Sequence, residues 1–307
     1  MSPTPRANIG LLQISLAGVL WGTGGLAVHV IREAEPISVV TISAWRMVIG
    51  ALTLLVVVAV LRQLGALRDL VRRHPGRVLV VGVATATYQA LYFAAVVAVG
   101  VTVSTVVSLG LAPMLVTVVE SIRRRRAPGP GDLVVLTAAL VGLVLVSVSA
   151  GSAGGPHPMF GVLASIGSGT AYALTTLIGH GLAQSTGPLG LATASTTVGA
   201  LALVPLAVLT GTGASAWGNP VVAGTLVYLG VLTMALAYLL FYAGLRTAPG
   251  SSAVIATLLE PLTAAVLAAL LLDERLGAAG ILGGVLILAA VAGLGRRPTT
   301  APVSPAP

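Results

Sequence analysis

Long apolar runs alternate with short polar breaks along the whole chain. Ten runs can be drawn, at 9–31, 37–61, 78–99, 103–122, 133–150, 159–182, 187–210, 221–244, 251–272 and 277–294. A bilayer core takes about 20 apolar residues per helix, with a range of about 17–25, and every run fits or nearly fits. The breaks hold Pro, Gly and Arg, as connecting segments should. The pattern predicts an all-α integral membrane protein with ten transmembrane helices. The first run is long, contains Trp21 and lacks a small-residue cleavage site, so it reads as a helix and not as a removable signal peptide. The stretch 62–77 reads as a basic, featureless loop, and Pro298–Pro307 reads as a disordered Pro-rich tail.

Composition supports lipid as the solvent. Of the 307 residues, 56% are hydrophobic and 8% charged, and the mean hydropathy is +1.04. No soluble core could hide that much apolar surface. With no Cys, disulfides and thiol chemistry are excluded. All 16 basic residues are Arg, for a net charge of +8. With the N-terminus placed inside, one side receives Arg6, Arg62, Arg68, Arg72, Arg73, Arg77, Arg123 to Arg126, Arg246, Arg296 and Arg297. The other side receives only Arg32 and Arg275, each near acids, while Arg46 falls within a span. This asymmetry predicts both termini in the cytoplasm and a multi-pass protein of the inner (plasma) membrane. The Arg clusters read as topology signals and contacts for membrane lipids. No aromatic residues interleave with them, so nucleic acid is not an expected partner.

The chain also resembles itself. A shift of 148 positions lays Phe93 on Phe241, Ser104 on Ser252, Leu111 on Leu259 and Pro113 on Pro261. A shift of 151 lays Gly18 on Gly169, Trp21 on Tyr172 and His29 on His180. The prediction is two halves, 1–150 and 151–297, of five spans each, followed by the tail 298–307. Five is odd, so the second copy enters the membrane inverted, an arrangement many secondary transporters use for alternating access.

At this point the sequence resembles a known family. LLEPLTAAVLAALLLDERLGAAGILGGVLILAAVAGL at 258–294 and ISAWRMVIGALTLLV at 42–56 are similar to the last helices and the second helix of the EamA branch of the drug/metabolite transporter superfamily. The resemblance covers nearly the whole chain. It implies a metabolite or drug exporter of the inner membrane, and it names no substrate. Asp273 departs from the family's usual Gly. The first-half counterparts of Glu260 and Glu274 are Ala112 and Arg126 (260 − 148 and 274 − 148), so the acids belong to one half.

Candidate chemistry follows from depth. At about 1.5 Å per residue, Glu260 and Arg46 each lie roughly 14 Å from an end of their spans, at similar levels. A charge there costs several kcal/mol unless it finds a partner, water or neutralisation. Two readings stay open: a charge or proton pathway, or a structural ion pair. Pro113 and Pro261 read as kinks and hinges, because Pro leaves an upstream carbonyl without its donor. Trp21, Tyr88, Gln89 and Tyr172 fall near mid-membrane, with Tyr92 and Tyr238 about a turn away. Membrane Trp and Tyr normally sit at the interfaces, so these six are candidate substrate-binding residues.

The remaining polar residues read as structural. His29 and His180 lie near span ends, where His is ordinary, although their repeat relation also allows a proton relay. Glu120 reads as a salt-bridge partner of Arg123–Arg126. Asp273, Glu274 and Arg275 read as a helix-end cap. Gly18 with Gly22, and Gly280 with Gly284, read as close-packing pairs that fit either contact between the halves or a dimer seam.

No HExxH, GxSxG or Ser-x-x-Lys pattern occurs, and no Cys/His metal spacing. The sequence therefore predicts a secondary transporter, not an enzyme, working through a central cavity without cofactor or metal. The expected partners are a small solute and lipid, and the protein is expected as a monomer or homodimer. The rival is a membrane-embedded enzyme without a recognisable motif.

Overall fold

A computed structural model describes residues 5–149, 157–271 and 277–295. Asp273, Glu274, Arg275, Arg296, Arg297 and the tail 298–307 lie outside these, so the expected cap and tail do too. The described chain is all helical. The helices are α1 (Pro5–Ala34), α2 (Val39–Val60), α3 (Leu64–Arg73), α4 (Pro75–Val99), α5 (Val101–Arg124), α6 (Pro130–Ser149), α7 (Pro158–Ser185), α8 (Pro188–Thr210), α9 (Pro220–Tyr228), α10 (Ala237–Leu245), α11 (Gly250–Ala256), α12 (Leu259–Leu271) and α13 (Ala278–Gly295). Among the described residues, nine spans are long and apolar enough to cross a membrane, and Ala278–Leu294 is a shorter apolar helix. Their limits follow the apolar runs because the breaks supply N-terminal Pro at α4, α7, α8 and α9.

Two spans are not simple helices. Between α9 and α10 the backbone is π-helical over Leu229–Leu236. The next span is broken at Thr257 and Leu258, between α11 and α12. Pro261 therefore sits in the first turn of α12, where its missing N–H is no loss. The carbonyl of Thr257 is taken instead by the N–H of Glu260 at 2.9 Å. Pro113, its counterpart by sequence, lies inside the continuous helix α5.

The stretch 62–77 is not featureless. Helix α3 forms because Leu67 and Leu70 share one face while Arg68, Arg72 and Arg73 take the other. Leu70 is buried, and its Cδ2 lies 3.5 Å from where a Cβ on Gly190 of α8 would stand.

Packing repeats when the halves are exchanged. Helix α4 lies on α7, and α1 lies on α10; α5 lies on α7, and α1 lies on α11 and α12. Helix α4 meets α8 as α2 meets the π segment, while α2–α8 and α6–α13 are self-equivalent pairs. Small residues permit these crossings. A Cβ on Gly18 would lie 3.2 Å from the Cα of Thr257, and one on the repeat-related Gly169 would lie 2.6 Å from the carbonyl oxygen of Ser108. Gly18 and Gly22 thus face α11, α12 and the break between them, within one chain. At the α6–α13 crossing Gly142 meets Gly283: a Cβ on either would approach the other's carbonyl oxygen to 2.7 or 2.6 Å. Of the expected pair Gly280 and Gly284, Gly284 faces Leu262.

Candidate functional site

Aromatic side chains line two symmetry-related helix contacts. Where α4 meets α7, the ring of Tyr88 stacks on Tyr172 at 5.1 Å, with Tyr92 at 6.4 Å from Tyr88. Where α1 meets α10, Trp21 meets Tyr238 edge-on at 5.1 Å and Phe241 at 5.4 Å. Hydroxyls fix two rings: Tyr172 shares a 2.8 Å hydrogen bond with Thr257 at the helix break, and Tyr92 shares one of 2.8 Å with Thr105. The hydroxyl of Ser168 donates to the carbonyl of Tyr88 at 3.0 Å, which pins α7 to α4.

The two charges stand among these rings. Glu260, in the first turn of α12, lies near Tyr88, Tyr92, Tyr172 and Tyr238. Arg46 on α2 lies near Tyr238 and Glu260. Yet Arg46 and Glu260 form no ion pair within 4.0 Å. The guanidinium instead reaches Met234 of the π segment at 4.0 Å, and its Nε is buried without a partner. Helix α1 passes close to both residues. A Cβ on Gly22 would lie 2.5 Å from the carbonyl oxygen of Glu260, and one on Gly24 would lie 4.0 Å from the Nη1 of Arg46. The glycines let α1 approach both.

Of the six substrate-binding candidates, ring contacts join Trp21 with Tyr238, and Tyr88 with Tyr92 and Tyr172. Gln89 is different. It neighbours Tyr88 in sequence but is 4% exposed, and neither end of its amide has a hydrogen-bond partner. The indole N–H of Trp21 is likewise buried without one. Such groups cost about 1–3 kcal/mol each when left unsatisfied. Phe241, Thr105, Thr257 and Met234 also belong to the cluster and were not singled out from sequence.

The other polar residues take different places. His29 pairs with Glu33 one turn on, and His180 meets Gln184 in the same way at 3.3 Å. Glu120 does not pair with Arg123–Arg126, whose side chains are exposed. It turns to α11 and accepts from the hydroxyl of Ser251 at 2.7 Å and from its N–H at 3.3 Å. A surface cavity of about 410 Å³ lies along α1, lined by Gly25, Val28, His29, Arg32 and Glu33. No group of His, Asp or Glu that could hold a metal is found among the described residues.

An all-helical bundle of two repeats, with paired aromatic walls around two mid-span charges, defines a polytopic membrane protein of transporter type. The chain belongs to the EamA-like transporter family, whose model matches it twice, at residues 8–148 and 159–296. It is 30% identical over 284 residues to the uncharacterized transporter YwfM of Bacillus subtilis (strain 168), covering 92% of each chain. A solved crystal structure shares the fold with a TM-score of 0.78 at 18% identity, covering 95% of this chain and 96% of that one.

Proposed function

We propose that this transporter is a secondary carrier that exports a small metabolite or drug by alternating access. Both termini lie in the cytoplasm of a cell whose inner membrane holds the protein. Ten crossings form two inverted halves, 1–150 and 151–297, with the substrate between them. The reading rests on one observation above the others. Glu260 and Arg46 are opposite charges at mid-span that do not pair with each other, and aromatic walls from both halves surround them. An intramembrane charge is costly to keep without a use. Trp21, Tyr88, Tyr92, Tyr172 and Tyr238 would hold the apolar body of an amphipathic solute. Gln89 would supply an amide to its polar part. Glu260 and Arg46 would meet its charges or pass a proton, and the chain around Pro113 and Pro261 would bend between states. The carrier's partners are a small solute and membrane lipid, without nucleic acid or cofactor, and it acts as a monomer or homodimer.

Counterflow in proteoliposomes tests the reading. Vesicles loaded with one unlabelled solute class at a time should take up the matching labelled solute transiently and saturably. Chemical conversion of the solute would favour a membrane-embedded enzyme instead.

A further inference from the structure

The two ends of the carrier are not alike. The 151-residue repeat lays Gly25 on Thr176, His29 on His180 and Glu33 on Gln184. Gly25 borders the 410 Å³ cavity, and a Cβ added there would meet nothing within 4 Å. Its counterpart Thr176, one turn from Tyr172, is 0% exposed. The start of α11 packs beside Thr176. A Cβ on Gly250 would lie 3.8 Å from the Cγ2 of Thr176, 3.4 Å from Val116 and 2.9 Å from the Oε1 of Glu120. Glu120, from the first half, holds that start down through both hydrogen bonds of Ser251.

We infer that Glu120 and Ser251 are a latch that closes the Arg-rich end of the transport path, and that the state seen here opens toward the other end along Gly25, His29 and Glu33. The latch can work as a switch because α11 is a short lever. Its far end is the break at Thr257, whose hydroxyl bonds Tyr172 and whose carbonyl takes the N–H of Glu260. A solute that displaces Tyr172 or Glu260 therefore acts on α11, and Ser251 lies two turns from that point. The latch has no twin. By the 148-residue offset Glu120 corresponds to Ala268 and Ser251 to Val103, which cannot form the same bonds. A charge-assisted bond at one end only biases the resting protein toward closure at that end.

The inference takes its purpose from the carrier reading, but its test needs no solute. The chain has no Cys, so Thr176→Cys and Gly25→Cys each introduce the sole thiol. In purified protein in detergent, a charged methanethiosulfonate reagent should modify Gly25→Cys rapidly and Thr176→Cys slowly. Adding Glu120→Gln or Ser251→Ala should speed modification of Thr176→Cys about tenfold, the scale of a charge-assisted hydrogen bond, and slow that of Gly25→Cys. Ser251→Ala removes only a hydroxyl, and it decides the matter should Glu120→Gln not accumulate. Unchanged Thr176→Cys reactivity in the latch variants overturns the latch. Failure of counterflow with altered reactivity would instead overturn the carrier reading and leave the latch standing.

Discussion

Tyr88 of the first repeat stacks on Tyr172 of the second with ring centres 5.1 Å apart, and the Tyr172 hydroxyl ties the pair to Thr257 at the break between α11 and α12. The wall of the site and the interruption of the helix are thus one structure. Tyr172→Phe should keep the stack and lose only the hydrogen bond, costing about 1 kcal/mol of stability. Tyr172→Ala should also lose the stack, worth about 0.5–1.5 kcal/mol more, and should reduce transport far more than Tyr172→Phe. Melting temperature and counterflow rate on both variants check this. Equal transport by the two would mean that the ring is no part of the solute's path.

The crossing of α6 and α13 gives a test of packing without reference to the site. A side chain at Gly283 must displace the backbone of Gly142, because its Cβ would stand 2.6 Å from that carbonyl oxygen. Gly283→Val should therefore cost at least the roughly 1–3 kcal/mol of ordinary overpacking and lower the amount of folded protein in the membrane. Gly25→Ala, where nothing lies within 4 Å, should leave abundance unchanged. Similar abundance of both variants would mean that the α6–α13 contact is looser than described.

Much of this architecture was legible in the sequence because lipid enforces long apolar runs, and the internal repeat was legible because glycines such as Gly18 and Gly169 meet equivalent partners. Three features were not. The helix α3 hides in a stretch dominated by Arg, where Leu67 and Leu70 give too short a period to stand out. The π segment lies where Gly50 approaches Gly230 beside Arg46, a tertiary contact that no local pattern carries. The break before Pro261 is displaced from the proline itself, since Pro suits a first turn. For the site, depth alone picked out the central aromatics and charges. It missed Thr105 and Thr257 because most helical Thr hydroxyls simply return to a carbonyl one turn back, as Thr85 and Thr193 do.

Topology can be read at two exposed glycines. Gly65 opens α3 among the Arg residues, and Gly218 lies in the segment between α8 and α9; neither has an atom within 4 Å of an added Cβ. In intact cells an impermeant thiol reagent should modify Gly218→Cys and spare Gly65→Cys until the membrane is opened. Modification of both in intact cells, or the reverse order, would contradict the inverted arrangement with cytoplasmic termini.

The last prediction separates the two roles left open for Glu260 and Arg46. A structural ion pair would couple the two residues strongly, because removing one partner strands the other charge and costs about 3–5 kcal/mol. The structure has no salt bridge between them within 4.0 Å. Glu260→Gln and Arg46→Gln should then each leave stability within about 1 kcal/mol of the parent, and the double variant should show no recovery beyond about 0.5 kcal/mol, as for sites without a shared contact. Transport should behave differently. Each single variant should lose at least about tenfold in counterflow, the scale of one charged hydrogen bond to a solute, and the double variant should not regain it. If Glu260 carries a proton, Glu260→Gln should in addition abolish pH-driven movement while solute exchange persists, because Gln keeps the shape and cannot titrate. Mutual rescue of stability in the double variant would instead make the two residues a structural pair, and unchanged transport in both single variants would remove them from the path.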